Sequence, residues 1–504
     1  MRRTVAGLLA VLLLLPSGCS SGPTAEPGVI AVGLREPASL LPGRVVDLPG
    51  REITGALWAP LAELGAADQP PIPVAAETIT SPNRLLWTVV LRQGWRFHDG
   101  SPVTARSYVG AWEAAMREGW PAARVLNDQL RVAGLRAVDE RTIEVRLHRP
   151  LGEFPAALTS PALSPLPESV LASRDWDGFA RHPIGNGPFR LTGPWVLGKG
   201  ARAEPFDGYA GSVRPKARGV DFRVVSDPVD QFEQVSSGVL DLATEVPPSK
   251  HAAMQQQYAD RNWSWPEPET TYLAFPLADK RFSDISVRHA ISLAIDRAEL
   301  ATGPLGHQVT PAASFVPPAL TGEAAPGACR PCAHDAQAAG VLLRQGNADL
   351  GKVTLHFEME EAGQRGWVSR IAEQLRSGLG LPDVAVRGLS GEEYRKALSS
   401  KSFDGPYVLR VSAGYPSPQS LLEPMLSGTN ADVDSMLGEA AVAETPAAAR
   451  RYYRLAENTV LRELPMTPLW SAHGHLYWSK ALSGVVTDPV RGALLDRIEV
   501  RGRT

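Results

Sequence analysis

Apolar residues recur along this chain with two periods. Leu85–Leu91 (LLWTVVL) is a run of branched and aromatic side chains, the composition of a β-strand. Thr142–Leu147 (TIEVRL) alternates strictly, which puts Ile143, Val145 and Leu147 on one face. Val29–Val32, Val220–Val225, Lys352–Glu358, Val384–Val386 and Leu469–Trp478 also read as strands. The second period is helical. Thr104 can cap a helix over Ala105–Glu118, with Tyr108, Ala111, Trp112 and Ala115 on one face. Ser283 or Asp284 caps another, with Val287, Ala290, Ile291, Ala294, Ile295 and Ala298 as its inward stripe, running on to Leu300. Asp335–Arg344, Gln364–Leu379 and Ala447–Leu464 complete the helices. Strands and helices alternate without a repeat, which predicts an α/β or α+β protein in several lobes.

Composition narrows the class. The chain has 504 residues, 44% of them hydrophobic, enough for two to four domains at about 150 residues each. Its 51 basic and 54 acidic residues leave a formal net charge of −3. That balance argues against a nucleic-acid-binding surface. Beyond the N-terminus, no apolar stretch reaches the ~20 residues of a membrane span.

The N-terminus points to export. Arg2 and Arg3 precede an apolar run from Val5 to Leu15, then Ser17, Gly18 and Cys19. This is the layout of a secretory signal peptide over residues 1–19. A cysteine at the cleavage point resembles a bacterial lipobox, with Cys19 as the lipidated residue, although Pro16 stands where such boxes carry Leu. Residues 20–27 form a small polar tether. The body is expected on the outer face of the cytoplasmic membrane, periplasmic or extracellular. Cys329 and Cys332 remain, spaced C-x-x-C in a Pro-containing loop. Outside the cell such a pair closes a small disulfide. Zinc would need two more ligands, and only His334 is near in sequence.

Enzymatic signatures are missing. There is no Gly-x-Ser-x-Gly elbow, no His-Glu-x-x-His and no Walker lysine loop. Gly185-x-Gly187 leads into Pro188 and a strand, so it does not read as a dinucleotide loop. No catalytic residue, cofactor or metal is assigned. His473 and His475 would share a face of a strand, but no third ligand is apparent. Trp58, Trp95, Trp112, Trp367 and Trp470 are expected in the core.

Five segments, in order, resemble the periplasmic oligopeptide- and dipeptide-binding family of ABC importers (extracellular solute-binding family 5). They are Trp87–Ala105 (WTVVLRQGWRFHDGSPVTA), Ile184–Leu191 (IGNGPFRL), Phe282–Arg297 (FSDISVRHAISLAIDR), Phe403-Asp404 leading to Gly414–Pro418 (GYPSP), and Leu464–Pro468. In these segments Asp99-Gly100 reads as a tight turn, and Gly185 and Gly187 read as backbone angles closed to other residues.

The resemblance implies a two-lobed α/β clamp of type II, cluster C-like, with an extra inserted domain. Lobe I would combine 28–50, 182–272 and 483–504, the insert would span 51–181, and lobe II 273–482. A monomeric receptor would capture an oligopeptide-like solute between the lobes by hinge motion and deliver it to an ABC permease and its ATPase. The family reads peptide backbone with an extended run just before the aromatic-Pro turn. Here that assigns Arg410, Val411, Ser412, Ala413, Gly414 and Tyr415 to ligand binding, with Arg410 suited to a carboxylate.

One departure matters. Peptide-binding members carry Asp directly before this Tyr to receive the ligand's ammonium. Here it is Gly414. Either another carboxylate serves, the nearest downstream being Glu423, expected at the surface, or the ligand has no free amine. Modified peptides, sugars, opines, metal chelates and a ligand-sensing signalling role stay open as alternatives.

Overall fold

The structure, a computed structural model, describes residues 26–502 apart from 66–68, 322–328, 347–348, 360–362, 429 and 489. The expected signal peptide, Cys19 and most of the tether therefore lie outside the described residues. Two long antiparallel strands, Asn262–Ala274 and Met466–Trp478, form the spine of an 11-stranded mixed sheet. They pair from Asn262 opposite Tyr477 to Ala274 opposite Met466. At the first end Tyr477 and Trp478 hold Leu242–Ala243, which leads on to Val29–Leu34, Gly219–Val224, Gly200–Pro205 and Phe189–Leu191. At the other end Glu269–Ala274 holds Tyr407–Ser412, then Val353–Glu358 and Val384–Leu389. The chain is thus a two-lobed α/β clamp whose halves share the two long strands. Their pairing shifts register between Pro266 and Thr270. Two prolines, Pro266 and Pro268, flank Glu267 there, and proline breaks a regular ladder because it has no N–H.

A separate four-stranded antiparallel sheet runs through Ala76–Thr80, Leu86–Leu91, Thr142–Leu147 and Val132–Ala137. Its inward residues Val89, Leu91, Ile143, Val145 and Leu147 join one large core with Ile30, Val32, Phe189 and Phe222 of the first lobe. The second lobe has its own cores, one around Phe282, Ile291, Phe357 and Leu375, the other around Leu421, Val433, Tyr453 and Val460.

Local sequence explains most boundaries. The helix Ala105–Glu118 begins at a capping box between Thr104 and Ser107 and ends at Gly119, whose φ is +67°; only glycine takes that left-handed angle freely. Tyr108, Ala111, Trp112 and Ala115 are all buried. Asp335 caps Ala336–Gln345 by accepting from Ala338 N at 2.8 Å. All five tryptophans expected in the core are buried.

Two expectations need correction. The helix after Asp284 stops at Ala294; Ile295 is extended, and Asp296 caps a second helix, Arg297–Thr302. The break turns Arg297 inward, where it donates to the carbonyls of Pro468, Ser292 and Cys332 and to Thr467 Oγ1. Ala298 consequently faces solvent. Arg288, in the first of these helices, binds the carbonyls of Glu463, Leu464 and Phe282 in the same manner. The two arginines of this motif are thus structural clamps, satisfying carbonyls that would otherwise be buried without donors.

The second correction concerns Gly185 and Gly187, neither of which has positive φ. A Cβ on Gly185 would lie 1.9 Å from Leu57 O, and one on Gly187 would lie 2.4 Å from Leu57 C. The glycines allow two backbones to touch. Asp99-Gly100 does turn as expected, with Gly100 at φ +85°. The Cys329 and Cys332 sulfurs are joined in a buried turn, with Cα atoms 5.3 Å apart.

Candidate functional site: a cleft between the lobes

A cavity of about 850 Å³ opens between the lobes. Residues of the first lobe (Arg35, Glu245), the inserted segment (Val125, Ser160), the second lobe (Arg410, Trp367) and both long strands (Glu267, His475) line it. A cleft of this size suits a small-molecule or short-peptide solute.

Of the six residues assigned from the sequence, Arg410, Ser412, Ala413, Gly414 and Tyr415 line the cavity. Val411 points the other way and packs on the core beneath, as alternation along a strand requires. The strand Tyr407–Ser412 pairs along one edge with Glu269–Ala274. Its other edge meets the neighbouring strand in the described ladder only at Tyr407, opposite His356. Arg410 faces Glu269 at 3.6 Å, and Ser412 Oγ donates to the same carboxylate. Tyr415 is buried, its hydroxyl without a hydrogen-bond partner, and burial raises its pKa.

Gly414 is explained by a residue far away in sequence. A Cβ at Gly414 would lie 2.1 Å from Gln129 Oε1. Gln129 enters from the inserted segment and donates through Nε2 to Ser420 O at 3.2 Å; its Oε1 is buried without a partner. A neutral amide thus fills the space that a side chain at 414 would need.

Glu423 was expected at the surface, but the structure buries it. It is 4% exposed and pairs with Arg149, with Arg131 at 3.3 Å and with Gln419. It is absent from the cavity lining. Its helix packs inward, and the two arginines approach from one end of the strand pair Val132–Ala137 and Thr142–Leu147, where Val132 stands opposite Leu147. Nearby, Glu153 accepts from Tyr453 OH at 2.8 Å and from Ser417 Oγ. These contacts tie Arg131, Arg149 and Glu153 to the helices Pro418–Leu426 and Pro446–Glu463.

The cavity's own acids escaped sequence reasoning. Glu245 pairs with Arg35, Glu267 with Arg51 at 3.3 Å, and Glu269 with Arg410. Burial raises the pKa of Glu245 and Glu267, against the lowering effect of their arginines. The available signal was Pro266-Glu267-Pro268-Glu269, charged residues inside a strand-like run.

His473 and His475 also line the cavity. His473 is saturated, with Nδ1 3.1 Å from Ser264 Oγ and Nε2 2.7 Å from Thr310 Oγ1. His475 is 6% exposed and burial pushes its pKa down to about 4.

The model of the bacterial extracellular solute-binding proteins, family 5, matches residues 70–432. The periplasmic murein peptide-binding protein MppA of Escherichia coli K12 is 24% identical over 471 residues, covering 86% of each chain. The probable deoxycholate-binding periplasmic protein YgiS of the same strain is 25% identical over 411 residues, 75% of this chain and 76% of that one. The solved structure of E. coli MppA superimposes with a TM-score of 0.76 at 21% identity, over 95% of this chain and all of the other.

Proposed function

The chain belongs to the bacterial extracellular solute-binding proteins of family 5, a solute receptor of the ABC importer type and not an enzyme; from that premise we propose that it captures an oligopeptide-like solute in the cleft and hands it to a permease and its ATPase. One observation carries the ligand class: past the His356–Tyr407 pair and the Tyr394 hydroxyl on Val408 O, no further ladder is described along the outer edge of the strand Tyr407–Ser412, whose Arg410 and Ser412 line the cavity. An extended peptide can add to such an edge through its N–H and C=O groups. Arg410, Ser412, Ala413, Gly414 and Tyr415 then line the bound backbone, and Val411 supports them from behind.

The lobes are taken as 28–50, 182–272 and 483–504 against 273–482, with 51–181 inserted. The register shift at Pro266–Thr270 supports a hinge there. Signal cleavage before Cys19, lipidation of that residue, a Cys329–Cys332 disulfide and monomeric action complete the proposal. They put the receptor on the outer face of the cytoplasmic membrane.

A second reading has its own support. With Gly414 and Gln129 where the family's ammonium-binding Asp would stand, a solute without a free amine fits equally. YgiS, by its description a probable deoxycholate-binding protein, is in keeping with such a solute. A panel of mixed di- to pentapeptides tests the first reading by thermal shift. A ligand at 100-fold its Kd stabilises by about 2.7 kcal/mol. No shift at millimolar peptide refutes peptide capture and leaves the second reading.

A further inference from the structure

One wall of the cavity carries no charge, and backbone pairing along Tyr407–Ser412 does not use it. Three short segments build it: Pro42–Arg44 with the loop that follows, Pro121–Ala123, and Pro161–Leu163. Each opens on a proline, whose fixed φ suits the first position of a helical turn. The first segment packs against both of the others. From this side Val45, Val46, Leu48, Pro121, Ala122 and Val125 line the cavity. Ser160 lines it too, but its hydroxyl already accepts from Ala162 N at 3.3 Å.

Val46 is 63% exposed. A lone exposed valine needs no explanation, but this one continues an apolar wall inside a cleft, and its surroundings hold it there. The next residue, Asp47, accepts from Ala38 N at 2.6 Å and from Gly50 N at 2.9 Å, which fixes the loop. Trp120, directly before Pro121, buttresses the wall. It meets Trp176 edge to face at 5.0 Å, Arg44 lies over its ring at 5.3 Å, and a Cβ on Gly43 would stand 2.6 Å from it. A surface held this firmly gives up little loop or side-chain freedom when a ligand covers it.

The charged part of the lining differs. Its arginines and glutamates are already matched, Arg35 with Glu245, Arg51 with Glu267 and Arg410 with Glu269. A charged side chain of the solute therefore competes with a partner already in place. At the apolar wall it is only water that is displaced, and apolar surface leaves water favourably. We propose that this wall, with Val46 standing out from it, selects solutes that carry a bulky aliphatic or aromatic side chain over those with small polar ones. The inference rests on the cleft being the solute site, as proposed above.

Calorimetric titration of the full-length protein tests it, with pentaglycines carrying one Leu, Phe, Ser or Asn at each position in turn. At one position Leu or Phe should bind about ten-fold or more tighter than Ser or Asn, the discrimination that burial in an apolar pocket gives. V46N should cut that advantage about five-fold, and V46S repeats the test should V46N fold poorly. L197N is the control: Leu197 is 75% exposed and absent from the cavity lining, so the advantage should stay within about two-fold. Melting of each variant checks folding. Peptides that bind without an apolar preference, or a preference that V46N leaves intact, overturn the proposal. If no pentapeptide binds, peptide capture fails and the wall is judged with 8-anilinonaphthalene-1-sulfonate, an apolar dye that fluoresces when it leaves water. Saturable dye binding that weakens about five-fold in V46N but not in L197N upholds the wall without peptides. Dye binding that is equal in all three proteins, or missing, overturns it.

Discussion

G414D measures how the site treats the end of its ligand. The new Cβ would lie 2.1 Å from Gln129 Oε1 and 2.7 Å from its Nε2, so Gln129 must retreat by about 1 Å to reach ordinary contact. Such overpacking costs about 1–3 kcal/mol. The displaced amide also gives up its 3.2 Å bond to Ser420 O, about another 1 kcal/mol. The total is about 2–4 kcal/mol. At about 2 °C per kcal/mol, the shallow end of the range for long chains, melting falls by about 4–8 °C. Adding Q129A makes room, so G414D/Q129A should recover the overpacking share, and the double-mutant cycle should show coupling of about 1–3 kcal/mol.

The functional arm uses calorimetry with a peptide and its N-acetylated form. The wild type has no acid at 414, so the two should bind within about two-fold. The double variant supplies a carboxylate, and a charge-assisted bond to an ammonium contributes about 1.5–3 kcal/mol. Acetylation should then cost it about ten-fold or more. A wild type that loses affinity sharply on acetylation would refute the reasoning, because another carboxylate would already hold the ammonium. Additive effects of G414D and Q129A would refute the packing account.

G187A should cost about 3 kcal/mol or more, because its Cβ would press on Leu57 C and Trp58 N, which are backbone and cannot step aside; thermal melting or loss of soluble protein reads this. Glu52 is 2% exposed and burial raises its pKa to about 8. The native state therefore binds a proton that the unfolded chain has released, so this contribution is full below about pH 4.5 and is lost as pH rises towards 8. E52Q should flatten the fall of melting temperature across that window; an unchanged profile would show that Glu52 does not titrate there. C19A should abolish any diacylglycerol mass on the mature chain and release the protein from membranes, checked by intact-mass spectrometry; membrane retention would refute the anchor.

Much of the local architecture is legible in sequence. Thr104, Asp284, Asp335 and Gly119 mark their helix ends because a cap is an interaction over two to four residues, and the period of apolar residues identifies each buried face. The split at Ile295 was not legible, because it depends on Arg297 reaching carbonyls at Pro468 and Cys332. Gly185 and Gly187 were recognisable as necessary, but their purpose needed the position of Leu57. In the cleft, the run Arg410–Tyr415 stood out by its order and its neighbours. The acids Glu245 and Glu267 did not, since nothing local separates a cavity-facing glutamate from a solvated one.

Sequence alone determined the principal strands and helices, some of their caps and the order of motifs that marks a two-lobed solute receptor, because these depend on neighbours along the chain. Tertiary structure alone decided that Gln129 fills the space beside Gly414, that Glu423 is held by Arg131 and Arg149 away from the cavity, and that His251, His307 and His475 meet. Each of those meetings joins segments many residues apart. Such approaches are set by how whole elements pack, and no periodicity or spacing within one segment records them.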